Sequence, residues 1–295
     1  MYKAAIIALA ASLISGCTDE KAPPETVPAA WQTWTADRTT YLTDGPTAVL
    51  RLTDYSYLPA QGSVFFNAEA AGRVVLAATR KPATLAEVSY QPPEMVWQGE
   101  DSRTSYAVAD GLPSVDVTAR FSAKFNIEHL DLDTTQLRVL LFDAEAELPA
   151  SYKGLSFFPH DQAGVVGAEF LPAETLEPVI LDTERGLTKR FYLAGHFAFE
   201  FGGAQIRMPA YTMSADPAAI DYMLLGFRDT TNGRTSYGVG RYLDVTGFGP
   251  FPPAGARLDF NYAYNPTCAY SGAYNCPIIP FGFDGDVPYG ESYEG

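Results

Sequence analysis

The chain has 295 residues, of which 47% are hydrophobic and 19% charged, enough apolar material to bury a sizeable core. Its 35 acidic and 20 basic side chains give a net charge of -15, the opposite of the basic footprint a nucleic-acid binder needs. After the first residues no apolar run approaches the ~18 needed to span a bilayer as a helix, which excludes a multi-span helical transporter.

The first predicted element is an export signal. Lys3 is followed by the apolar segment Ala4 to Leu13 and then by Ile14, Ser15, Gly16 and Cys17. The Leu13-Ile-Ser-Gly-Cys17 run resembles a bacterial lipobox. That resemblance implies cleavage after residue 16 and acylation of Cys17, which would hold the chain stably at a membrane. Thr18 in place of Asp implies, on the same analogy, the outer membrane, with the protein facing the periplasm. The mature chain then carries 19 basic and 35 acidic residues, net -16, so anionic headgroups repel it and the anchor must hold it. Residues 17–30, with Pro23, Pro24 and Pro28, read as an acylated tether. Residues 31–145 read as an N-terminal β-rich half and 146–295 as a C-terminal β domain.

A short helix is expected over 31–38, carrying Trp31 and Trp34. Beyond it the period is two. Strands are expected near 47–53, 63–67, 73–79, 104–108, 115–122, 136–142, 164–170, 177–181, 187–193, 196–201 and 257–264. In the last, Leu258, Phe260, Tyr262 and Tyr264 oppose Arg257, Asp259, Asn261 and Ala263. Asn232-Gly233 predicts a tight hairpin between strands at 223–229 and 235–242. Punctuation by Gly, Pro, Asn and Asp makes the fold class all-β: an antiparallel β-sandwich or partly closed barrel with few short helices.

Phe227-Arg-Asp-Thr-Thr-Asn-Gly-Arg-Thr-Ser-Tyr-Gly-Val-Gly-Arg-Tyr-Leu243, the run Leu258 to Tyr270, Tyr274-Asn-Cys-Pro277 and Tyr152-Lys-Gly-Leu-Ser-Phe-Phe-Pro159 resemble the signature of a bacterial family catalogued as domain of unknown function 1684. The tail departs from the family pattern at Pro280-Phe-Gly-Phe-Asp284. The family implies no reaction, so the resemblance supports a fold and a cluster of positions.

The polar face of the predicted 257–264 strand presents Asp259 and Asn261 about 7 Å apart. Asn265-Pro266 then turns the chain toward Cys268 and Cys276. With Asp229 and Arg241 from the hairpin, these residues are the candidates for a common ligand site. Two readings stand: a polar pocket for a small molecule or hard cation, or an internal brace of ion pairs and turn caps. Cys268 and Cys276 are an even pair in an oxidising compartment and point to a disulfide over half of a zinc site. His129, His160 and His196 are scattered, and there is no Gly-x-Ser-x-Gly motif. The aromatic tail (Tyr262 to Tyr293) suits either a sugar or peptide groove or a core plug. The leading expectation is therefore an envelope lipoprotein that binds a small molecule or envelope partner non-catalytically through residues 229–283. No cofactor, metal or nucleic acid is expected. The alternative is a hydrolase, metal-assisted or not, that uses Asp229 or Asp259 with Arg241.

Overall fold

The computed structural model describes residues 27–293. The export signal, Cys17 and most of the tether lie outside the described residues. The chain is predominantly β, with one long helix, α1 (Ala29–Thr43). This helix is longer than the expected 31–38. It turns one face, carrying Trp31, Trp34, Arg38 and Tyr41, toward the rest of the protein; a helix of this length is marginal alone and is held by that packing.

Nine strands follow: β1 (Leu52–Leu58), β2 (Ser63–Ala68), β3 (Val74–Ala77), β4 (Thr84–Gln91), β5 (Glu94–Gln98), β6 (Arg103–Ala107), β7 (Val115–Asp116), β8 (Phe121–His129) and β9 (Thr135–Asp143). They form two antiparallel sheets, in the orders β1-β9-β8-β7 and β3-β2-β4-β5-β6, around one shared core that includes Phe66, Val88, Met95, Phe125 and Leu141. Strands β4 and β5 were not expected. They flank Pro92-Pro93, which makes the turn between Gln91 and Glu94.

The second half contains β10 (Ser156–Phe157), β11 (Val165–Pro172), β12 (Pro178–Asp182), β13 (Thr188–Phe201), β14 (Ala204–Thr212), β15 (Tyr222–Phe227), β16 (Arg241–Thr246), β17 (Ala256–Asp259) and β18 (Glu291–Ser292). Its main sheet runs β16-β15-β14-β13-β11-β17, with β12 added to β13. Tyr242 and Tyr264 exchange backbone hydrogen bonds of 2.8 Å, so the chain just beyond β17 returns to β16 and nearly closes the sheet into a barrel.

Three local readings are corrected. The strands expected at 187–193 and 196–201 are one strand, β13, with a bulge between Leu193 and Gly195. The bulge needs glycine, because a Cβ on Gly195 would stand 2.4 Å from the Leu171 carbonyl oxygen. The tight hairpin at Asn232-Gly233 does not form: β15 and β16 do pair, but at Phe227 and Arg241, so a long loop joins them. There the Asn232 side chain accepts from Asp229 N and donates to the Tyr237 carbonyl, which stabilises a folded loop over a two-residue turn. Finally, β17 stops at Asp259. The Asp259 carboxylate accepts from Asn261 N and opens a short 3₁₀ turn over Phe260–Tyr262, which breaks the expected alternation to 264.

The barrel interior holds Phe197, Phe199, Met223, Leu225, Phe227 and Leu258, with Phe260 and Phe283 plugging one end. A second apolar layer, with Phe191, Tyr211, Leu224, Tyr242 and Ile279, coats the outside, where the 266–281 segment packs on the sheet. Gly226 permits that approach: a Cβ there would lie 2.2 Å from Ile279 Cγ1.

Candidate functional site

Strand β16 sorts its side chains by parity. Leu243 faces the barrel interior, and Arg241, two residues before it, follows the same face to the barrel end. There Arg241 is 0% exposed and donates to Asp229 Oδ2 and to the carbonyls of Val287 and Tyr289. Asp229 Oδ1 accepts from the Thr231 amide and hydroxyl. The pair is therefore a brace that fastens the C-terminal tail and the β15–β16 loop to the barrel. Burial lowers the Arg241 pKa and the Asp229 carboxylate opposes that fall.

The other expected residues are distributed nearby but not around the same point. Asn261, fully buried, donates to Asp259 Oδ1 and the Asp161 carbonyl and accepts from Asp161 N. Asn265, also fully buried, donates its side-chain amide to Tyr270 and to the Ser292 carbonyl. Its backbone N–H donates to Glu291 Oε2, and its carbonyl accepts from Arg38. The structure thus brings Asp229 to Arg241 and Asp259 to Asn261, as two separate arrangements of tightly bonded groups. Glu291 is the acid at the centre of a third arrangement, the one that holds Asn265. It is bonded to Arg38, Asn265 and Tyr270, and burial raises its pKa against those partners.

Tyr242 and Asp244 take the opposite face of β16 and point outward. There helix α1, Arg138 of β9, Lys189 of β13 and the 264–277 segment wall in a hollow of about 490 Å3. The sequence reading missed this site, although the signal was present: Tyr242 and Asp244 alternate with Leu243 and Val245. Asp244 Oδ1 accepts from both Tyr222 and Tyr264 hydroxyls at 2.8 Å. Its Oδ2 has no hydrogen-bond partner among the described residues. The carboxylate is open to solvent yet surrounded by the walls; this crowding raises its pKa, with the two hydroxyls and Arg38 opposing the rise.

Arg38 sits over the Tyr264 ring at 4.8 Å and the Tyr41 ring at 5.4 Å, and Arg138 over the Tyr274 ring at 5.2 Å. Two buried donors on the lining, Arg138 Nε and Asn275 Nδ2, have no partner. Such groups cost about 1–3 kcal/mol each if nothing accepts from them. Both atoms are sealed behind the wall, so the hollow itself offers one free acceptor and aromatic walls, a combination suited to holding a small polar molecule.

Cys276 also lines it. The expected disulfide to Cys268 is not formed in this structure: both are buried thiols, and Cys268 N donates to Cys276 Sγ at 3.2 Å. Bonding from Cys268 and Thr267 lowers the Cys276 thiol to about 7, while the Cys268 thiol is raised by the same contact and by burial. Among the described residues no group of three or more His, Cys, Asp or Glu side chains is placed to hold a metal ion, and no helix is long and apolar enough to cross a membrane.

Comparison with known proteins bears on residues 150–284, which supply part of these walls. No curated protein matches the chain. A solution NMR structure of an uncharacterized protein from Haloarcula marismortui is 32% identical, with 48% of this chain and 77% of that chain covered and a TM-score of 0.41. Residues 150–284 match the model of a family described as "Protein of unknown function (DUF1684)". Residues 150–284 thus carry the similarity to the DUF1684 domain.

Proposed function

We propose that the protein binds a small, uncharged, hydroxyl-rich molecule of the sugar type in the Asp244 hollow, without a covalent step. The observation that carries this reading is the Asp244 carboxylate. Two tyrosine hydroxyls fix one of its oxygens, and the other has no partner in a carboxylate that lines an aromatic-walled space. A cationic ligand is disfavoured because arginines already lie on the ring faces that would attract it. A polyanion is disfavoured because the three cations of the lining are already paired, Arg38 with Glu291 and Arg138 and Lys189 with Glu128, while Asp244 and Asp37 stand beside them and the net charge is -15. The site draws most of its groups from residues 242–277, within the 229–283 region singled out in the sequence.

Titration calorimetry against a panel of neutral sugars tests it. Binding by the parent and loss of roughly 10- to 100-fold in Asp244→Asn is expected, the worth of a hydrogen bond to a charged group. Equal affinity in parent and variant defeats the reading. For the hydrolytic alternative, the Asp229 side chain is fully enclosed, which leaves half-buried Asp259 as the carboxylate that water reaches.

The lipid anchor belongs to the same proposal: acylation at Cys17 would tether the protein to the outer membrane, facing the periplasm, where sugars and envelope proteins are available partners. Incorporation of an alkyne-tagged palmitate that Cys17→Ser abolishes is the expected result. The 268–276 thiols, side by side, are proposed to close into a disulfide in that compartment; intact-mass measurement with and without reductant reads the 2 Da difference directly.

A further inference from the structure

The hollow beside Asp244 has a neighbour. A second one, of about 170 Å3, opens across the same wall, and Lys189, Tyr242, Tyr264 and Pro277 line both. The Tyr222–Asp244 hydrogen bond links the two: Asp244 borders the larger hollow and Tyr222 the smaller.

The unfilled donors follow the same division. Arg138 Nε and Asn275 Nδ2 belong to residues lining the larger hollow, and Arg190 Nε to one lining the smaller. In each case the rest of the side chain is held by the protein. Arg138 Nη2 donates to the Ala273 carbonyl, Arg190 Nη1 to the Asp131 and Leu132 carbonyls, and Asn275 Oδ1 accepts from Arg185 N. These donor atoms are themselves sealed behind the walls; what the two hollows share is the ridge of Lys189, Tyr242, Tyr264 and Pro277, so adjoining space accommodates a ligand longer than either hollow alone. Met213, 64% exposed, stands at the smaller hollow and offers an adaptable apolar surface for a ring face.

We propose that the two hollows are subsites of one groove, and that its ligand is a saccharide chain of at least two rings, one unit beside Asp244, Arg138 and Asn275 and the next beside Arg190 and Met213. This rests on the sugar reading of the Asp244 hollow and extends it from a single ring to a chain.

Calorimetry with two neutral series, N-acetylglucosamine and its β-1,4-linked dimer and trimer, and glucose, maltose and maltotriose, separates the two claims. The expected result is at least a tenfold gain in affinity from one ring to two in the series that binds. In Met213→Ala, which strips the apolar contact from the second ring, that gain falls at least threefold, with the unfolding midpoint as the control for an intact fold. Equal affinity for one ring and two in the parent overturns the groove and leaves the Asp244 site standing. A chain-length gain undiminished in Met213→Ala also overturns it. Absence of binding by both series overturns the sugar reading and the groove together.

Discussion

Arg241 and Asp244 lie three residues apart on one strand and have opposite fates. Arg241 turns into the barrel end, meets Asp229 and three backbone carbonyls, and is fully buried. Asp244 turns out, meets two tyrosine hydroxyls and keeps one oxygen free. Both are charged groups in crowded surroundings with shifted pKa values. The first has its charge matched inside the fold, where its one unpaired atom, Nε, is sealed in the core, whereas the second stands in a hollow the fold leaves open. Perturbed ionisation alone does not mark a site; an unmet hydrogen-bonding capacity beside empty space does.

The contrast predicts different failures. Arg241→Ala strands the Asp229 carboxylate in the core, so the unfolding free energy measured in urea should fall by about 3–5 kcal/mol. A drop below about 1 kcal/mol would mean that the brace is not structural. Asp244→Asn should act the other way round. Its stability should stay within about 0.5 kcal/mol of the parent, as for a surface change, while sugar affinity falls in the range given above. A variant that unfolds easily but binds normally would place Asp244 with Arg241 as a scaffold residue.

A third substitution tests the outer layer on which the hollow depends. At Gly226 an added Cβ would meet Ile279 Cγ1 at 2.2 Å. Gly226→Ala must therefore push the 277–281 segment off the sheet, costing about 1–3 kcal/mol as overpacking does. Because that segment continues from Asn275, Cys276 and Pro277 of the wall, ligand binding should weaken in parallel. Unchanged denaturation curves would show that the segment is loosely seated.

How far the sequence carried can be judged on the same residues. The alternation of Phe197, Phe199 and Phe201 marked β13, and the pairing of β15 with β16 was legible from the apolar runs around Asn232-Gly233. Strand β14 was not, because Pro209 sits in its middle. The strand accommodates it opposite His196 because its other edge pairs with β15 only at Tyr211 and Leu224. Among site residues, the meeting of Arg241 with Asp229 followed from chemistry, and its burial followed from the parity it shares with Leu243. The hollow could not be read this way. Its walls come from residues 34–41, 138, 189 and 264–277, whose convergence depends on helix α1 docking on the barrel through Trp31 Nε1 to the Asn261 carbonyl and Arg38 to Asn265 and Glu291. No local pattern encodes contacts more than two hundred residues apart.

The smallest expected effect is on pH, and it sharpens the contrast most directly. Crowding raises the Asp244 pKa above its unfolded value of 3.8. In the window between 3.8 and the raised value, the folded protein holds a proton that the unfolded chain has released. This group's contribution to stability therefore declines as pH rises through that window and is greatest below it. Ligand affinity has the opposite slope: protonation removes the free acceptor, so sugar binding weakens as pH falls through the same window. Asp244→Asn, with nothing to titrate there, should lose this contribution to both slopes. The Asp229–Arg241 pair offers no such signature in binding, since neither group reaches the ligand. A parent affinity that is flat from pH 7 down to 4 would show that the carboxylate does not contact the ligand, and would return Asp244 to the same structural class as Arg241.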